Sequence, residues 1–263
     1  MVLPLYFEQA LGLAHTSWRD ILRDALVQMQ HRSPCYLEEL AEAEFLPDQQ
    51  RIFAAFSVPL SQIRFVLVGE GPYPRSLSAN GYCFMDGAVD SLWSDQIKGG
   101  LSKPVNRATS LRNFMKMLLV AESMLTVEEL GPETMATIST RARSPQSGMI
   151  QSMADLHQNF LSNGFLMLNA SLVFRAQVAP AIDAKAWEIF LARVFAALAA
   201  LSHRPVVILW GKVAERLLSI PSMSTFELAR SEHPYNLSFI ANETMQTLFA
   251  ELKLLRKART TTN

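Results

Sequence analysis

Short apolar runs rich in β-branched residues alternate along this chain with longer stretches whose apolar residues recur at helical spacing. That is the pattern of an α/β sheet covered by helices. The runs predict strands at 63–68, 165–169, 205–209 and 226–229, and helices at 110–124, 155–162, 184–201 and 242–255. In WRDILRDALVQMQ the residues Trp18, Ile21, Leu22, Ala25 and Leu26 share one helical face, with Thr16 and Ser17 as the expected cap. The stretch 128–148, with Pro132, Pro145 and several Thr and Ser, reads as an extended surface connection. No internal repeat is visible.

Composition narrows the class. With 263 residues, 49% of them apolar, the chain is long enough for one substantial core, and no low-complexity linker divides it, so a single domain over 1–263 is expected. Twenty-four basic and twenty-four acidic side chains cancel, so a nucleic-acid partner would need local patches. Cys35 and Cys83 are too few for a disulfide framework and lack metal-ligand spacing. The longest apolar run, 194–201, is far short of a membrane span, and 1–14 has no basic start before its apolar residues. A cytoplasmic protein without a membrane association is expected.

Each predicted strand ends in an unusual polar motif: Gly69-Glu70-Gly71-Pro72-Tyr73, then Asn169, then Trp210-Gly211, then His233-Pro234. Carboxyl ends of strands in an open α/β sheet share one rim, and ligands bind there.

These motifs resemble a family. GEGPYPRSLSANGYCF at 69–84 is similar to the GQDPYH motif and following aromatic segment of uracil-DNA glycosylases of the uracil-N-glycosylase type. LMLNASLVFRAQ at 166–177 resembles their LLLNxxLTVR, and KAWEIF at 185–190 their GWExF. SLRNF at 110–114, VVILWGKVAERL at 206–217 and HPYNLS at 233–238 match three further family segments in order, so the resemblance covers about 17–250. It implies a three-layer α/β/α fold around a mostly parallel four-stranded sheet. It also implies hydrolysis, without metal or cofactor, of the bond between uracil N1 and deoxyribose, on a nucleotide flipped out of DNA.

Carried over by position, Phe84 would stack on uracil, Asn169 would read its edge, and Tyr73 would crowd the carbon that bears thymine's methyl. His233 would donate to uracil O2 as negative charge develops there. Leu237 would fill the gap left in the base stack. Ser110, Lys212, Ser238 and the loop prolines Pro72, Pro74 and Pro234 would grip the DNA backbone. Stiff proline loops suit a site that must stay preorganised.

Departures from the family pattern are specific. Gly71 stands where the family has its catalytic aspartate, and Glu70 where it has glutamine, leaving Glu70 as the carboxylate at hand for positioning water. GEGP is also similar to the GEAP opening of another branch of uracil glycosylases that lacks the aspartate. Pro74 replaces the motif histidine, as in poxvirus members, and Tyr235-Asn236 replace serine and proline. The basic segment that follows the leucine in the family is absent. Neither Asp86 nor Asp155 sits where it would obviously replace the missing acid. Blander readings stay open: Phe84, Tyr73 and Cys83 as core, Asn169 as a turn former, His233 as structural, Leu237 as an ordinary surface leucine. So do three classes of function: a glycosylase that excises uracil or another damaged base, a DNA binder that does not cut, and a scaffold contacting a protein through an insertion at 126–150. A monomer acting on single- or double-stranded DNA is the expectation.

Overall fold

The computed structural model describes residues 2–96 and 98–257. The chain runs through α1 (Leu5–Ala10), α2 (Thr16–Arg32), α3 (Tyr36–Glu42) and β1 (Phe65–Gly69). It continues through α4 (Lys103–Arg107), α5 (Thr109–Ala121), α6 (Pro132–Arg143), α7 (Met153–Ser162) and β2 (Phe165–Asn169). Then follow α8 (Pro180–Ala186), α9 (Glu188–Ala199), β3 (Val206–Trp210), α10 (Val213–Leu217), β4 (Leu228–Ser231) and α11 (Glu243–Ala250). The strands form one sheet in the order β2-β1-β3-β4. β1 pairs in parallel with β2 from Phe65↔Phe165 to Gly69↔Asn169, and with β3 from Phe65↔Val206 to Val68↔Leu209. The sheet therefore agrees with the expected fold class. No helix among the described residues is long and apolar enough to cross a membrane.

Two compact units divide the described residues, those within 1–87 and 164–228, and those within 88–163 and 229–263, so the chain passes between them at the start of β4. In the first unit, every residue of β2 is buried, as are Val66–Val68 and Val207–Trp210, which is why these strands read as continuous apolar runs. The rings of Phe65 and Phe165 stack at 4.7 Å across the ladder. Gly164 enters β2 at φ +77, and a β-carbon there would fall 2.3 Å from the Gln62 carbonyl, so only glycine fits that turn. In the second unit, Phe114 of α5 gathers the rings of Phe160, Phe239 and Phe249 around it.

Several local expectations need correction. His15, not Thr16 or Ser17, caps α2: its Nδ1 accepts the Ser17 N–H at 3.2 Å. The stretch 128–148 is not an extended connection, because Pro132 opens α6, whose Met135, Ile138 and Ala142 are buried within the second unit. Their three-and-four spacing was masked by intervening Thr and Ser. The helix expected at 184–201 starts earlier, where Pro180 presets the first turn, and is divided at Trp187 into α8 and α9. The fourth strand falls at Leu228–Ser231, two residues beyond its expected start.

Candidate active site

In the first unit the parallel ladder does not stop where β1 and β2 stop. Ala170 N–H donates to the Gly69 carbonyl at 2.8 Å and Ser171 N–H to the Glu70 carbonyl at 3.0 Å. The GEGP loop is thus zipped to the residues that follow Asn169. Gly69 is imposed by close approach, since a β-carbon there would stand 2.9 Å from both Asn169 Oδ1 and Cys83 Cβ. Gly71 is different: a β-carbon would meet only Ser171 atoms, at 3.7 and 3.8 Å, which is ordinary contact. Nothing in the packing demands glycine at that place.

Asn169 is 4% exposed, and its Oδ1 has no hydrogen-bond partner among the described residues. Buried polar atoms are nearly always bonded, so such an orphan at a strand end is available to a ligand. In the same unit the aromatic residues of the strand-end loops are fixed rather than loosely packed. Phe84 holds φ +64, a left-handed conformation that costs a non-glycine residue on the order of 1 kcal/mol or more. Three contacts hold it there: Cys83 N–H donates to Met167 O at 3.0 Å, Tyr73 Oη donates to Phe84 O at 3.3 Å, and the Trp210 ring packs edge-on at 5.2 Å. Burial pushes the Tyr73 hydroxyl pKa up, with Asp86 adding to it, so this group stays a neutral donor.

Beside the loop is a cavity of about 370 Å³, lined by Glu70, Gly71, Pro72, Ser171, Arg175 and Lys212, among others. Part of its wall is an ion pair that the sequence did not reveal. Asp183, 2% exposed, accepts Arg175 Nη2 at 2.6 Å and Nε at 3.1 Å, and the Tyr36 hydroxyl at 2.7 Å. The Arg175 guanidinium also lies 5.7 Å from the Tyr36 ring centre. Burial, then the bond to Asp183, pushes the Tyr36 hydroxyl pKa up, while the same Asp183 bonds push Arg175 up. Of the expected site residues, Glu70, Gly71, Pro72 and Lys212 share this cavity, Tyr73 bonds Phe84, and Pro74 is exposed. Asp86 is buried and paired to Arg75 at 3.4 Å.

The second unit holds His233, Pro234, Leu237, Ser238 and Ser110. His233 Nδ1 accepts the Tyr235 N–H at 3.1 Å, so in the neutral imidazole the proton sits on Nε2, which is then a donor. Asn113 of α5, fully buried, donates Nδ2 to the carbonyls of Pro234, Tyr235 and Asn236 at 2.8, 3.2 and 3.4 Å. It was visible in the sequence only as part of SLRNF. Leu237 is 70% exposed. Ser238 hydrogen-bonds Glu232 and holds that carboxyl below its usual range. Ser110 lies in the first turn of α5 and is half-buried. Asp155 caps α7: burial raises its pKa, but the N–H groups of Gln151 and Ser152 outweigh this and bring it down.

No family model matches the chain. It is 26% identical over 231 residues to "Uracil-DNA glycosylase 2" of Streptomyces coelicolor, covering 87% of this chain and 84% of that protein. To a uracil-DNA glycosylase of Flavobacterium johnsoniae it is 25% identical, covering 85% of each. The solved structure of a mimivirus uracil-DNA glycosylase shares the fold, with TM-score 0.53 at 15% identity over 89% of this chain and 76% of that one. The crystal structure of UNG from Nitratifractor salsuginis superposes with TM-score 0.86 at 34% identity, covering 98% of this chain and 100% of that one. With relatives of that name aligned along most of its length and a solved UNG matched end to end, this chain belongs to the uracil-DNA glycosylase superfamily.

Proposed function

We propose that this protein is a cytoplasmic base-excision repair enzyme that hydrolyses the N-glycosidic bond of a flipped-out uracil in DNA. The observation that carries this reading is the buried, unpartnered Oδ1 of Asn169 at the end of β2. A carboxamide offers a donor and an acceptor to a base edge, and a site built to pair with such an edge rejects bases that leave it unpaired. Phe84 stacks on the base, Tyr73 limits the space beside its ring, and His233 donates through Nε2 to uracil O2. In the reaction, the N1–C1′ electron pair leaves with uracil as its anion, which His233 stabilises. Water oxygen bonds to C1′, and its proton passes to Glu70 or solvent.

Glu70 takes the water-handling role because it is the exposed carboxylate next to Gly71 on the cavity. Lys212, Ser110, Ser238, Pro72, Pro74 and Pro234 contact the DNA backbone, and Leu237 occupies the vacated stack. The apolar side of α6 is used within its own unit, so DNA, rather than a protein bound at 126–150, is the partner we propose for a monomer. The test is release of free base from single-stranded oligonucleotides carrying one uracil, cytosine or thymine at the same place. Uracil alone should be released. No release of uracil by excess protein at long times would overturn the reading.

A further inference from the structure

Two large apolar side chains stand exposed on a segment whose backbone is firmly held. Tyr235 is 67% exposed and Leu237 70%, while Pro234 just before them is buried. The three Asn113 bonds fix successive carbonyls of this segment, and the Asn236 N–H returns to the His233 carbonyl at 2.9 Å. A loop that merely crosses solvent has no use for a buried three-way anchor, nor for an aromatic ring left outside the core.

Cations stand on the helix that supplies the anchor. Arg112 and Lys116 lie on α5, one residue before Asn113 and three after it. Arg112 donates to Asn113 Oδ1 at 3.4 Å and to the Asn106 carbonyl at 3.3 Å. Among the described residues neither cation is ion-paired to a carboxylate. Burial, and then Arg112, pushes the Lys116 pKa down, so an arriving anion would favour the charged form of Lys116. Glu232, the carboxylate nearest in sequence to the loop, is held by Ser238 and by Asn242 Nδ2 at 2.9 Å.

An exposed aromatic ring on an anchored backbone, with cations not ion-paired among the described residues on the helix that anchors it, is the chemistry that binds unstacked nucleic acid: a π-face for a base and positive charge for its phosphates. The geometry points to Tyr235 as a base-stacking residue that takes the face of a nucleobase next to the flipped nucleotide, with Arg112 and Lys116 on the adjoining phosphates. This rests on the excision reading only in making DNA the ligand, because stacking needs no bond to break.

The test uses an oligonucleotide with a tetrahydrofuran abasic analogue, which cannot be cleaved, and 2-aminopurine beside it. Parent, Tyr235→Phe, Tyr235→Ser and the Arg112→Ala/Lys116→Ala pair are titrated, and uracil excision is followed separately. Binding by the parent should change the 2-aminopurine emission, Tyr235→Phe should reproduce it, and Tyr235→Ser should lose it with about 10-fold weaker binding. The double cation variant should flatten the slope of log K against log salt by roughly 1.4. An emission change and affinity in Tyr235→Ser equal to the parent's would sink the stacking inference, even if uracil is still excised. A parent that binds and shows the emission change without excising uracil would sink the glycosylase reading and leave the stacking intact. Failure of the parent to bind the oligonucleotide would overturn the stacking inference, whether or not uracil is excised.

Discussion

A β-carbon on Gly69 would stand 2.9 Å from Oδ1 of Asn169, so the glycine of the first motif and the asparagine of the second are a matched pair. Gly69→Ala should displace the carboxamide or Cys83, whose Cβ is equally close. We expect a loss of excision of at least 100-fold, with a fall in stability of about 1–3 kcal/mol from overpacking. Single-turnover kinetics and thermal denaturation on the same variant check both, and an alanine enzyme with parental rate would contradict the pairing.

Gly71→Asp should fold as the parent does, because the added side chain starts from contacts of 3.7 and 3.8 Å. An increase in single-turnover rate is the expected outcome, since a carboxylate there can stabilise the cationic sugar. A folded variant that is slower than the parent would mean the loop has been rebuilt around glycine.

Glu70 is the carboxylate to which the water-handling step is assigned. Glu70→Gln keeps size and hydrogen-bonding reach while removing the charge, and positioned proton transfer contributes roughly 100-fold or more. The rate should fall by about that factor with uracil affinity retained. A rate within twofold of the parent's would remove Glu70 from the mechanism.

Asp183 is a test of structure rather than chemistry. Asp183→Ala leaves Arg175 in a site where its charge has lost its partner, which typically costs about 3–5 kcal/mol. Tyr36→Phe removes one bond to the same carboxylate and should cost about 1–2 kcal/mol. Chemical denaturation should rank them in that order.

Acid sensitivity should come partly from His157 on α7. Burial lowers its pKa from 6.5 to about 4. The unfolded chain therefore takes up the proton first, and stability is full above pH 6.5 and falls as the pH drops toward 4. The loss is at most about 3 kcal/mol. Denaturation midpoints between pH 7 and 4 should decline less steeply in His157→Gln, and parallel profiles would contradict this.

The strands were legible because VLVG, FLMLN and VVILW are buried along nearly their whole length, and a run of that kind needs no tertiary information to be read. The motif loops were legible as polar punctuation at strand ends. What escaped was long-range or conformational. Tyr36 meets Asp183 across 147 residues, which no local pattern encodes. The left-handed backbone of Phe84 depends on the Tyr73 bond and the Trp210 ring, not on its own preference. α6 was missed because its buried Met135, Ile138 and Ala142 are diluted by hydroxyl residues, and Asn113 because a single asparagine in an amphipathic helix carries no mark of the three carbonyls it holds.

The most direct measurement is single-turnover cleavage, by excess protein, of a labelled single strand with one uracil, using the parent, Asn169→Ala and His233→Ala, with abasic product revealed by alkali. We expect product from the parent and losses of 100-fold or more in each variant, since the His233 donor to developing negative charge is worth about 3 kcal/mol and the Asn169 carboxamide is the group that pairs with the base edge. Product from all three at the same rate, or from none, would contradict the assignment of Asn169 and His233 as the residues that read and release the base.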